Sequence, residues 1–137
     1  NKNEIISGLI FDPIKNEIFF AEKNGGAFLN NHRLKVSKKN NINDCLFATG
    51  GKNSFSSDLS IRKTGCAALD LAYVASGRYD GFFQNELNIW DIAAGLLLVK
   101  EAGGILNKIN LLSIKNLKVV ASSNNIGAKL NEKLSNF

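Results

Sequence analysis

RKTGCAALDLAYVASGRYDGFFQNELNIWDIAAGLLLVKEAGG, residues 62–104, is the stretch that decides the fold. From Thr64 to Ser76 the residues Ala67, Ala68, Leu71, Ala72 and Ala75 recur at helical spacing, which predicts a helix with one apolar stripe. Gly77 stands where a helix closes on a left-handed residue. Tyr79 to Phe83 is short and aromatic and reads as a strand. A second, clearer helix covers Asp91 to Ala102, about 18 Å long at the usual rise per residue. Asp91 is its N-cap or first-turn acid, and Gly103 and Gly104 end it. Each element has an apolar face to bury, so helix, strand and helix in succession predict a layered fold.

Upstream the period changes to two. Ile5 to Phe11 and Glu17 to Glu22 read as strands around the turn Asp12 to Asn16, where Pro13 fixes φ and Asp and Asn bond locally. Lys23 to Gly26 is another turn. Ala27 to Leu29 and Arg33 to Val36 are short strands flanking Asn30 and Asn31, giving an antiparallel meander. Asn43 to Ala48 reads as a strand and Gly50 to Ser60 as a polar loop. Downstream, Leu117 to Ala121 is strand-like, and Ile126, Leu130 and Leu134 mark a short closing helix. The class is α/β or α+β.

Composition narrows the function. The chain has 137 residues, one domain by length, with 45% hydrophobic and 21% charged residues. That is a globular balance. The net charge of +5 is spread along the chain and only Arg33, Arg62 and Arg78 are arginines. Its densest cluster is Arg33, Lys35, Lys38 and Lys39. Nucleic-acid binders concentrate such charge, so direct nucleic-acid binding is not expected. Asn and Lys are abundant, which A-rich codons alone would produce. Cys45 and Cys66 form no CxxC pair and read as small buried hydrophobes. No apolar run reaches membrane-spanning length, so no membrane partner and a cytoplasmic setting are the expectation. The chain starts at Asn1 and contains no Met. The expectation is a piece of something longer.

The residues that could carry chemistry are few. His32 is the only histidine and lies in a polar turn. No HExxH, GxSxG, Walker or GxGxxG pattern occurs. Asp91 has two open readings: a capping residue on a tightly packed helix, or a carboxylate offered at an element boundary to a hard cation. One carboxylate cannot hold Mg²⁺ by itself. Asp70 falls mid-helix, with an exposed face and a buried polar contact both open. Gly65, Cys66, Ala67 and Ala68 open a helix, where free N–H groups can receive an anion or a hydroxyl oxygen. Small residues there also simply allow close packing.

The runs RKTGCAALDLAYVASGRYDGFF (62–83) and WDIAAGLLLVKEAGG (90–104), with Gly8 to Glu22 and Gly26 to Asn30, resemble the inositol monophosphatase family. The likeness is to its bacterial extragenic suppressor type. It extends over essentially the whole chain but only the C-terminal half or so of a member. It implies a layered αβαβα fold and lithium-inhibited, Mg²⁺-dependent hydrolysis of phosphorylated polyols. Residues 1–40 would be strands of the N-terminal sheet region and 41–137 a C-terminal α/β domain. Asp91 matches an aspartate that binds metal and orients the attacking water. Gly65, Cys66 and Ala67 match a segment whose backbone contacts the substrate ring. Gln84 stands where members carry a substrate-binding Glu, and its neutral amide lacks a charge-assisted acceptor.

The family's DPIDGT motif and an upstream Glu have no counterpart in the chain. Asp12, Pro13 and Ile14 begin like that motif but continue as Lys15 and Asn16, the hairpin turn. The stretches Thr49 to Arg62 and Ile105 to Leu117 are shorter than in members. The resemblance therefore implies a chain inactive alone: a proteolytic fragment, a split gene product completed by an N-terminal half in trans, or the product of a decayed gene. The alternative it allows is a non-catalytic module acting with the transcription or ribosomal RNA synthesis machinery. Homodimers are a further implication.

Overall fold

The structure is a computed structural model and describes residues 3–51 and 58–137. Strands β1 (Ser7–Asp12), β2 (Glu17–Glu22), β3 (Gly26–Leu29) and β4 (His32–Arg33) form an antiparallel sheet in sequential order. The turns use asparagine: Asn16, Asn24, Asn30 and Asn31 all take positive φ. Asn tolerates the left-handed region better than other non-glycine residues. Part of the Asn richness thus serves the tight turns.

The second sheet contains β5 (Leu46–Thr49), β6 (Ser60–Arg62), β7 (Gly81–Leu87), β8 (Ile105–Leu106) and β9 (Leu117–Ser122), ordered β6-β5-β7-β9-β8. β5 runs parallel to β6 and β7, while β9 is antiparallel to β7 and β8. Helices α1 (Ala67–Ala75) and α2 (Ile89–Glu101) lie between the two sheets. Helix α3 (Gly127–Lys133) packs on the far side of the second sheet. The described layers run sheet, helices, sheet, helix. These are four of the five layers that the sequence resemblance implies.

Strand alternation feeds two cores at once. Ala48, Phe82, Val119 and Ala121 face α1 and α2, whereas their neighbours Phe47, Phe83 and Val120 face α3. A sheet buried on both faces reads as a continuous apolar run, as at Gly81 to Phe83. The inner core also takes Ile10, Phe19, Ala21 and Ala27 from the first sheet. Glycines set two close approaches. A Cβ on Gly95 of α2 would lie 2.6 Å from Leu71 Cβ of α1, and one on Gly8 of β1 would lie 2.8 Å from Ala94 Cα.

Several expectations need correction. Residues 43–48 are not one strand, because a 3₁₀ turn at Ile42–Asp44 precedes β5. Asn41 caps that turn by accepting the Asn43 N–H. The strand expected at Arg33 to Val36 stops at Arg33, and the chain leaves the sheet for α2, with Val36 N–H donating to Ala102 O. β6 and β8 were not expected; with three and two residues they have no period to read. The polar loop 50–60 is described only at Gly50, Gly51 and from Asp58; positions 52–57 lie outside the described residues. Asp91 is not an N-cap. Asn88 holds that position and Asp91 lies in the first turn. The two cysteines differ. Cys45 is buried, and burial pushes its thiol up to about 11. Cys66 is exposed at the start of α1.

Candidate functional site

The C-terminal ends of parallel strands are where open α/β sheets bind ligands. Here β5 and β7 run parallel, paired from Phe47–Gly81 to Thr49–Phe83. The Thr49 hydroxyl donates to Phe83 O and ties the two ends together. Just beyond lies a cleft of about 300 Å³, lined by Gly50, Gly51, Gly65, Cys66, Ala67, Ala68, Gln84, Leu87 and Asp91. The structure therefore brings Gly65, Cys66, Ala67, Gln84 and Asp91 to one place. His32 is exposed on β4 and takes no part.

Two helices begin at this cleft. The first amides of a helix have no intrahelical acceptor, and the helix dipole adds partial positive charge there. At α1, Cys66 is the N-cap residue with extended backbone and makes no side-chain cap bond. Its thiol therefore leaves the first-turn amides available. Gly65 takes φ +84°, and no atom lies within 4 Å of where its Cβ would stand. That side of the cleft is open. At α2, Asp91 is half-exposed, and the ion pairs found among the described residues do not include it.

The opposite wall is β7. A Cβ on Gly50 would fall 2.3 Å from Gln84 Oε1, so only glycine lets the Gln84 amide lie across the end of β5. The β7–β9 register shifts between Gln84 and Leu87, and Glu86 takes φ +58°. Such bulges bend a strand and re-aim its side chains beside sites.

Behind α1 lies a pair that sequence reasoning left open. Asp70 is buried and accepts the Thr64 hydroxyl at 2.5 Å; the Thr64 oxygen in turn accepts the Cys66 N–H at 3.4 Å. Burial pushes the Asp70 carboxyl up to about 6, against the lowering effect of the Thr64 bond. The pair fixes the loop that carries Gly65. Thr64 is a cleft-positioning residue the sequence did not single out. Its only signal was an ST-type hydroxyl two residues before the N-cap position of a helix. Gly50 was likewise missed as a cleft residue, since by itself it reads only as the start of a polar loop.

The donor set decides how Mg²⁺ fits. That ion needs near-octahedral oxygen coordination. Asp91 is the one carboxylate lining the cleft, and among the described residues no three His, Cys, Asp or Glu side chains group as metal ligands. The residues present do not fit the ion by themselves. A separate cleft of about 220 Å³ lies between the N-terminal segment and α2, with Lys23 and Lys100 among its lining residues. It holds none of the candidate residues. Among the described residues no helix is long and apolar enough to cross a membrane.

Known proteins resemble the chain over most of its length. An inositol-1-monophosphatase of Rhizobium meliloti is 42% identical over 118 residues, covering 75% of this chain and 44% of that protein. The Nus factor SuhB of Escherichia coli is 44% identical over 115 residues, covering 72% of this chain and 43% of that protein. The chain thus spans less than half the length of these two curated relatives. The solved structure of the Thermotoga maritima IMPase superposes with a TM-score of 0.88 at 32% identity, over 98% of this chain and 57% of that one. The sequence profile of the inositol monophosphatase family matches residues 1–136. On that match, over nearly its whole length, the chain belongs to the inositol monophosphatase family.

Proposed function

We propose that this chain is the C-terminal part of a Mg²⁺-dependent phosphomonoesterase acting on inositol phosphate or a related polyol phosphate, and that it does not turn over alone. The observation that carries the reading is the meeting of Asp91, Gln84 and the start of α1 in one cleft at the ends of β5 and β7. In this reading the first-turn amides of α1, reached past Gly65, Cys66 and Ala67, receive substrate oxygens. The Gln84 amide receives a polyol hydroxyl. Asp91 is the one metal-binding and catalytic carboxylate this chain contributes. The other oxygen ligands come from the part of the family fold that these residues do not include. Residues 1–40 then serve as the strands against which that part assembles, and 41–137 as the site-bearing domain.

The test is release of phosphate from inositol 1-phosphate by the isolated chain, with and without Mg²⁺. The expected result is no turnover above the buffer rate. Robust Mg²⁺-dependent release would overturn the claim that the site is incomplete.

A second reading draws on the 44% identity to proteins named Nus factor SuhB. In that reading the chain is a non-catalytic module acting with the transcription machinery in the cytoplasm. A pull-down that recovers RNA polymerase subunits, together with a cleft whose Asp91→Asn variant loses no cellular function, would favour it.

A further inference from the structure

A second cleft, of about 220 Å³, lies at the other end of α2 from Asp91. Lys100 on its rim is in the last turn and Asp91 in the first, about 14 Å apart along the helix at the usual rise. The floor is apolar. Leu96 and Leu97 of α2, Leu106 of β8, and Ile5, Ile109 and Leu111 form it. The wall 107–112 is held by its own amides. Asn107 accepts the Val120 N–H at 2.8 Å and donates to Lys118 O at 2.9 Å. Asn110 accepts the Leu112 N–H at 3.0 Å.

The rim carries a spare positive charge. Lys100 follows Leu96 by four residues and Leu97 by three, so it shares their helix face. It is exposed, and the ion pairs found among the described residues do not include it. Its acidic neighbours are engaged elsewhere. Glu101 accepts the Gly26 N–H at 3.0 Å, and Glu4 pairs with Lys23 at 2.7 Å. An adjoining groove shares Asn3, Ile109 and Leu111 and adds Lys108.

We propose that this cleft binds a small amphipathic anion, a free alkyl carboxylate of about eight carbons, with its chain on the leucine floor and its carboxylate at Lys100. Charge complementarity selects the anion. Of the charged side chains lining the cleft, Lys23 and Glu4 offset each other and Lys100 remains. An apolar lining with one placed charge is the usual make-up of a small-molecule site. Volume sets the length, since the cleft has room for roughly seven groups the size of a water molecule. The site uses none of the residues at Asp91, so it stands apart from the phosphatase reading.

Titration of the chain with octanoate, octanol and octylammonium tests it, read by calorimetry and by methyl NMR shifts. Octanoate should bind saturably and shift the methyl signals of Leu96, Leu97 and Ile109. Each methylene from hexanoate to octanoate should tighten binding about two- to fourfold. Octanol and octylammonium should bind at least tenfold more weakly. Lys100→Glu should weaken octanoate at least tenfold and leave octanol unchanged. Ile109→Ser should weaken both. Lys129→Glu, on α3 beyond the second sheet, should change neither. No saturable octanoate binding, equal binding of octanol or octylammonium, or a Lys100→Glu or Ile109→Ser variant that binds octanoate like the parent overturns the proposal. Shifts confined to the Leu9 and Phe11 face overturn it as well. So does binding to anionic phospholipid vesicles without binding of free octanoate, which gives the cleft to a lipid surface. Each of these results leaves the phosphate-release test untouched.

Discussion

Asp70 shows how one buried side chain can shape a site it does not line. Its carboxyl is pushed up to about 6 from 3.8 by burial. The folded state therefore binds the proton more tightly than the unfolded chain. The stability this supplies is full below about pH 4 and is lost as pH rises through 6. Asparagine mimics the protonated form and still accepts the Thr64 hydroxyl. Asp70→Asn should therefore gain on the parent chain as pH rises from 4.5 to 7.5, by at most about 3 kcal/mol. Thermal melts across that range measure it, and an offset independent of pH would contradict the assignment. At the same scale, the WD pair and the Gly-Cys-Ala run were legible because the resemblance rests on them. The Thr64–Asp70 bond was not. A mid-helix Asp has the same letter whether it faces water or a hydroxyl, and only the tertiary fold chooses.

At the scale of elements, segments with a period or a turn signal read correctly, down to β3 and α3, and the shortest strands β6 and β8 did not. α1 and α2 have apolar stripes long enough to show a period, and β1, β2 and β9 are bounded by turn residues; β7, read as Tyr79 to Phe83, runs instead from Gly81 to Leu87, through the polar Gln84 to Glu86. β6 and β8 exist because β5 and β9 offer them ladder bonds, a reason that lies outside their own residues. The α1–α2 contact depends on a glycine whose role its own stretch of sequence does not show. Gly95 lets Leu71 approach to where a Cβ would sit 2.6 Å from its Cβ. That Cβ is next to the backbone and cannot swing away. Gly95→Ala should destabilise the chain by about 1–3 kcal/mol through overpacking, despite the better helix propensity of alanine. A lowered urea midpoint with unchanged slope is the expected result. A midpoint equal to the parent's would show that the helices can part at no cost.

At the scale of the molecule, the layers explain both what folds and what is lacking. α1 and α2 are covered on both sides by sheets, and the second sheet is covered by α3. The outer face of the first sheet keeps Leu9, Phe11 and Ile18 exposed. The same molecule that buries two cores thus leaves one apolar face and one long strand edge open, beside a cleft with a single carboxylate. All three features follow if the site is built from this chain and a further part of the family fold. The most direct measurement is Mg²⁺-dependent phosphate release from inositol 1-phosphate after that part, taken from the Thermotoga relative, is joined to this chain. The account predicts release that neither part shows alone and that Asp91→Asn abolishes. A folded, joined protein that releases no phosphate, or one whose release survives Asp91→Asn, would contradict it.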